Sequence, residues 1–179
     1  MGAWGITMRE SDYGLDLLSV IVEEQLKPVH FAYLDTAKAI ELLRQHILDE
    51  IKHCNRGCSQ EELDYYIEIN FPRDFTQAAL LIAECLGEYY RTGELVVYEY
   101  IEKTCELQER HVKQMAATGE ALPVLLEEVR RVQDPDHEMY QSWIREETRQ
   151  KWLAQIRALQ EILEAHNHAV HRYVAEQED

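Results

Sequence analysis

The closing segment constrains the fold most. In "WLAQIRALQEILEAHNHAV", Trp152, Ile156, Leu159, Leu163, His166 and Val170 recur every three or four residues. That spacing places them on one face of an α-helix, whereas a strand repeats every two. The same period runs through most of the chain. Ser11 or Asp12 caps a first helix carrying Leu15, Leu18, Val22 and Leu26, with Pro28 beyond its stop. Asp35 caps a second helix bearing Ile40, Leu43, Ile47 and Ile51, followed by Gly57. Ser59 and Glu62 have the S-x-x-E spacing of a capping box and open a third helix, with Leu63, Tyr66 and Ile67 on its inner face.

Pro72 is expected to end that third helix, because proline removes a backbone donor and clashes with the preceding turn. Asp74 and Gln77 repeat the capping spacing for a fourth helix with Phe75, Ala78, Ile82, Leu86 and Tyr89 inside, stopped at Thr92-Gly93. Leu122, Leu125, Leu126 and Val129 mark a later helix that tolerates Pro123 in its first turn. Asp134 and Pro135 restart the chain ahead of Met139, Tyr140, Trp143 and Ile144. Residues 94–118 carry two signals. "ELVVYEY" has the β-branched and aromatic residues of a strand, whereas Ile101, Cys105, Val112 and Met115 keep helical spacing. The reading adopted is helix over 98–117.

Only 7 glycines and 4 prolines punctuate 179 residues, too few for the many tight turns of a β-sandwich. The expectation is an all-α, single-domain array of about seven or eight helices over residues 1–179, orthogonal or bundle-like. It would have an anchoring N-terminal segment at 1–11 and a frayed charged tail at 174–179. No internal repeat, low-complexity tract or linker interrupts it.

The opening "MGAWGITMRESD" has neither the basic nor the apolar region of a secretory signal, and Ile6 stands where N-myristoylation needs Ser or Thr. No stretch is long and apolar enough to span a bilayer. A cytoplasmic location is expected, with Cys54, Cys58, Cys85 and Cys105 as reduced thiols. Cys85 and Cys105 sit among apolar positions and read as small core residues.

Thirty-four acidic residues against 18 Lys plus Arg give a formal charge of −16. That field repels phosphate backbones and disfavours nucleic acid. It serves solubility, or it steers a protein partner with a basic surface. Tyr65 and Tyr66 adjoin the acidic run "SQEELDYYIEI". Adjacent residues on a helix do not both face the core, so Tyr65, with Glu61 and Glu62 beside it, is a candidate contact surface.

The N-terminus raises a separate point. A tryptophan is costly to expose and large enough to plug a gap between helices. Gly2 and Gly5 let the backbone turn closely around Trp4. "GAWG", then "ESD", then "GLD" opening a helix resembles the bacterial domain-of-unknown-function family numbered 4259. The matching positions are Gly2, Trp4, Gly5, Ser11, Asp12 and Asp16. "TQAALLIAECLGEYYRTGEL" resembles the family's central Ala- and Glu-bearing helix, with Glu84 at the acidic position. "HEMYQSWIREETRQKWLAQIRALQEIL" resembles its closing pattern of two tryptophans, here Trp143 and Trp152. The break between them, "REETRQK", departs from the pattern by being rich in helix formers, and "VVYEYIEKTCELQERHVKQM" has no counterpart. The resemblance implies a small soluble bacterial protein with no activity attached. By analogy, some small acidic bacterial proteins act as immunity proteins for secreted toxins.

Catalytic and cofactor motifs are sparse. There is no G-x-S-x-G, no P-loop and no G-x-G-x-x-G. "HCNRGC" offers His53, Cys54 and Cys58, half of a zinc site. In "HNHAVH", His168 and His171 are helical neighbours and His166 looks away. No metal and no cofactor is therefore expected. Asp16 and Glu84 lie beside apolar helical runs, where a carboxylate must be paired, neutralised or used to cap a backbone end. The function expected is protein–protein binding without catalysis, with an immunity-like role by analogy. The alternative is a hydrolase or metal-dependent enzyme built from scattered Asp, Glu and His.

Overall fold

The structure, a computed structural model, describes residues 6–178, with the side chains of the closing helix as far as Asn167. Among the described residues there are six α-helices and two small sheets: α1 (Asp12–Ile21), α2 (Thr36–Cys54), α3 (Gln60–Thr92), α4 (Ala121–Arg131), α5 (Glu138–Ser142) and α6 (Glu146–Glu178). Strands β1 (Leu34–Asp35) and β4 (Met115–Ala116) pair in parallel, and β2 (Leu95–Ile101) and β3 (Glu106–Val112) form an antiparallel hairpin. The molecule is thus mainly helical rather than all-α, with fewer helices than the seven or eight expected.

The 33-residue α3 is the hub and packs against α1, α2, α4, α6 and β2. Its sequence explains its position. From Thr76 to Gly87, "TQAALLIAECLG" is apolar nearly all round, and only Gln77 and Glu84 in that run are not buried. A helix apolar on every face must be enclosed by other elements. Amphipathic stripes close around it: Ala39, Ile40, Leu43, Ile47 and Ile51 of α2; Leu122, Leu125, Leu126 and Val129 of α4; Trp152, Ile156, Leu159 and Leu163 of α6. These form one hydrophobic core.

Pro72 does not break α3. Thr76, fully buried, donates its hydroxyl to the Pro72 carbonyl at 2.9 Å and lies 2.8 Å from the Glu128 carboxylate. Arg131 closes the group, 2.8 Å from Glu128 and 2.6 Å from Thr76. Packing on α4 and this buried polar group hold the helix together across the proline, so the expected separate cap at Asp74 is not used. Asp74 instead pairs with Arg73 at 2.9 Å.

The helix expected over 98–117 is a hairpin. Leu95, Val97 and Glu99 face inward and Tyr98 and Tyr100 outward, a period of two. Glu99 puts a charge at an inward position of that alternation. Burial pushes its carboxyl up, but bonds from Lys27 (3.0 Å) and Arg110 (2.8 Å) outweigh burial and hold it below the usual carboxylate range. Cys105, expected in the core, is exposed in the hairpin turn with φ +53°. Tyr66, expected on the inner face of α3, is exposed.

The caps follow the sequence more closely. Ser11 accepts the Gly14 N–H at 3.0 Å, and Asp35 accepts those of Ala37 and Lys38 at 2.9 and 3.2 Å. Ser59 and Glu62 close their capping box, and Gly93 ends α3 at φ +78°. The α5 cap is His137 rather than Asp134, which folds a preceding turn by accepting the Asp136 N–H. Trp143 separates α5 from α6.

Gly14 is required by contact rather than by backbone angle. A Cβ there would lie 1.8 Å from the Met8 carbonyl oxygen. Gly14→Ala is therefore expected to lower stability by about 1–3 kcal/mol or more, as overpacking against a backbone atom does, read as a lower denaturant midpoint. Gly93→Ala, with open space around it, is expected to cost only the left-handed backbone penalty of about 1–2 kcal/mol.

Candidate functional site

A short 3₁₀ turn, Met8–Glu10, lies across α3. Its amides are held by one carboxylate: Met8 N–H donates to Glu84 Oε1 at 2.9 Å and Arg9 N–H to Oε2 at 3.2 Å. Arg9 then reaches Glu88 at 3.0 Å and the Val96 carbonyl at 2.7 Å. One turn thereby ties α3 to β2. Glu84 as a residue keeps some surface in a cleft, but its carboxyl group is enclosed. Burial pushes that carboxyl up to about 7, against the opposing pull of the two N–H groups and of Arg9.

The cleft beside this clamp has a volume of about 550 Å³. Leu15 and Leu18 of α1 and Ile156, Leu159 and Ile162 of α6 give it an aliphatic floor, with Tyr98 of the hairpin at its rim. Two of its carboxylates are engaged: Glu10 accepts the N–H groups of Ile6 and Thr7, and Glu88 holds Arg9.

A second cleft of about 440 Å³ lies between α1, α2 and α3. It brings Asp16, Glu50 and Asp74 together with His46 and Tyr13. Burial, then the neighbouring carboxylates of Asp74, Glu50 and Asp16, push the Tyr13 phenol far up, so it stays protonated. Among the described residues, no group of three or more His, Cys, Asp or Glu side chains is placed to hold a metal ion.

The first half of α3 presents a different surface. Tyr65, Tyr66 and Ile69 are 60%, 37% and 52% exposed. Their spacing sets them on one side of the helix, while Leu63 and Ile67 pack inward. The two tyrosine rings meet edge to face at 6.0 Å. Glu61, Glu62, Asp64 and Glu68 flank them, and residues 57–72 contain no Lys or Arg. Glu62 is committed to its capping box, where the Ser59 amide and hydroxyl hold its carboxyl below the usual range. A second exposed apolar group, Tyr98, Tyr100 and Leu107, lies on the outer face of the hairpin.

The sequence-derived residues are therefore scattered. Tyr65 and Glu61 share the α3 face. Asp16 is exposed on α1 and borders the second cleft, and Glu84 belongs to the clamp. Asp12 is the first residue of α1. Trp152 is buried, with the Trp143 ring tilted against it at 6.0 Å and Arg149 bonded to the Trp143 carbonyl at 2.7 Å. Gly2, Trp4 and Gly5 lie outside the described residues, as do the side chains of His168 and His171. Sequence reasoning did not single out Ile69, Arg9 or Glu88. Ile69 was legible from its spacing to Tyr65 and Tyr66, whereas the Arg9 contacts span more than 75 residues and leave no local signal.

Comparison with protein-family models, curated proteins and solved structures finds no match to this chain. Among the described residues, no helix is long and apolar enough to cross a membrane.

The clamp makes a pH prediction. Glu84 holds its proton to about 7 in the fold against an ordinary 4.5, so the folded state binds more protons between those values. Its contribution to stability is full below 4.5 and is lost as pH rises through 7. Glu84→Gln is expected to flatten the stability–pH curve across that window. Chemical denaturation at several pH values checks this, and an unchanged slope would count against it.

Proposed function

We propose that this protein works by binding a partner protein with a basic surface, through the acidic, tyrosine-bearing face of the first half of α3. The observation that carries the reading is the exposed row of Tyr65, Tyr66 and Ile69, set among four carboxylates with no cation in residues 57–72. Exposed aromatics supply contact area at low entropic cost. The surrounding charge speeds encounter with a cationic partner and repels nucleic acid. The −16 charge of the whole chain acts in the same direction. We place the protein in the bacterial cytoplasm, as a relative of family 4259, with immunity to a toxin as the analogous role.

A second reading, acid–base catalysis in the cleft of Asp16, Glu50, Asp74 and His46, is favoured by the convergence of those groups. It is weaker because Asp74 is engaged by Arg73 and Tyr13 keeps its proton at neutral pH. A general base also needs hydrogen-bond reach to the proton it takes.

Affinity capture at low and high salt tests the binding reading. The expected outcome is a basic partner whose association slows steeply with salt. Tyr65→Ala is expected to weaken the complex by about 1–2 kcal/mol, roughly 5- to 30-fold. Glu61→Lys is expected to slow association at low salt. An acidic partner, or association indifferent to salt, would overturn the reading. Loss of function on His46→Ala with binding intact would favour the enzyme.

A further inference from the structure

The turn joining α2 to α3 is framed by two thiols. The α2 stripe that faces the core runs Leu43, Ile47, Ile51, and Cys54, the last residue of the helix, continues it at the next helical step. Cys54 is nevertheless exposed, because the core side of α2 ends at Ile51 and the helix end projects where the chain returns. The reversal is tight. Asn55 donates its N–H to the Ile51 carbonyl at 3.2 Å, and Cys58 donates its own to Asn55 at 3.2 Å. Gly57 sits at φ +94° with open space around it. A turn closed between residues 55 and 58 holds those two Cα atoms within about 7 Å, and Cys54 is the residue before Asn55, so the turn carries Cys58 back toward the end of α2 that bears the first thiol. Cys58 enters α3 immediately before its cap, Ser59.

Both thiols are free and exposed, which separates them from Cys85. Burial pushes the Cys85 thiol up to about 12 and leaves it inert. Cys105 stands apart on the hairpin turn. The local charge is also distinctive. In a chain of −16, residues 52–58 carry Lys52, His53 and Arg56 and no acid, and Arg56 meets the His53 ring. An anionic disulfide such as oxidised glutathione is drawn to such a patch and repelled by most of the remaining surface.

We propose that Cys54 and Cys58 form a redox-modification site, closing an intraloop disulfide by exchange with a glutathione-type disulfide. One thiolate attacks a glutathione sulfur, forming a protein–glutathione mixed disulfide and expelling one glutathione thiolate. The second cysteine thiolate attacks the protein sulfur and expels the other. Two cysteine thiols are oxidised, one glutathione disulfide is reduced to two thiols, and the cysteine protons pass to the released thiolates. The inference is independent of the binding role assigned to α3.

Incubation of the full chain with oxidised glutathione, followed by mass spectrometry under non-reducing conditions, tests it. Trypsin cuts after Lys52 and Arg56, so the disulfide leaves segments 53–56 and 57–73 joined, lighter by two hydrogens and separated by dithiothreitol. Cys54→Ser and Cys58→Ser are each expected to trap a stable glutathione adduct on the remaining thiol. Cys105→Ser is expected to leave the linkage unchanged. Persistent glutathione on both thiols of the unmutated chain, a disulfide-linked dimer, a Cys105 cross-link or unreacted thiols would each overturn the proposal.

Discussion

The carboxylate of Glu84 is the contact on which the arrangement of elements depends. It lies on the most buried stretch of α3 and accepts two successive backbone amides from the Met8–Glu10 turn. A buried carboxylate must be paired or hydrogen-bonded, and a helical turn leaves its first amides unpaired. Each need answers the other. The Met8 carbonyl is used in turn by Ser11, whose hydroxyl also caps α1. The bare face of Gly14 lets α1 press against that carbonyl. Arg9, aimed by the same turn, bonds a carbonyl of β2. The start of the described chain, the central helix and the hairpin are thus fixed through one side chain.

Three other buried carboxylates are handled in the same way. Glu99 is held by Lys27 and Arg110, and Glu128 by Thr76 and Arg131. Burial pushes the Asp35 carboxyl up, but the Thr118 hydroxyl and the two capped amides of α2 outweigh it. With these groups satisfied, the second half of α3 is free to be apolar on all sides. The first half runs along α2, and its outer side carries the exposed Tyr65, Tyr66 and Ile69. Exposed aromatic and aliphatic residues in one helical row, bordered by like charges, mark a surface kept soluble by charge and available for contact.

Much of this was legible in the sequence where the signal is local. The caps at Ser11, Asp35, Ser59 and Gly93 and the stripes of α2, α4 and α6 depend on residues a few positions apart. Tyr65 was legible because adjacent helical residues do not share a face. What was not legible depends on distant partners. Pro72 reads as a helix break until the packing of Thr76 against Glu128 of α4 is known. The hairpin reads as helix because Ile101, Cys105, Val112 and Met115 keep helical spacing, and its inward Glu99 is made tolerable by Lys27, 72 positions away. The two clefts join α1 to α6 and α1 to α3, so no local pattern announces them.

Site-specific photo-cross-linking in living cells tests the central claim, that the outer face of α3 is the working surface. A photoreactive amino acid would replace Tyr65 in one strain and Tyr100, on the hairpin, in another. The account predicts a discrete adduct to a basic protein from position 65, lost when Glu61 is also changed to lysine, and none from position 100. Adducts from position 100 alone, or an acidic partner at position 65, would contradict it.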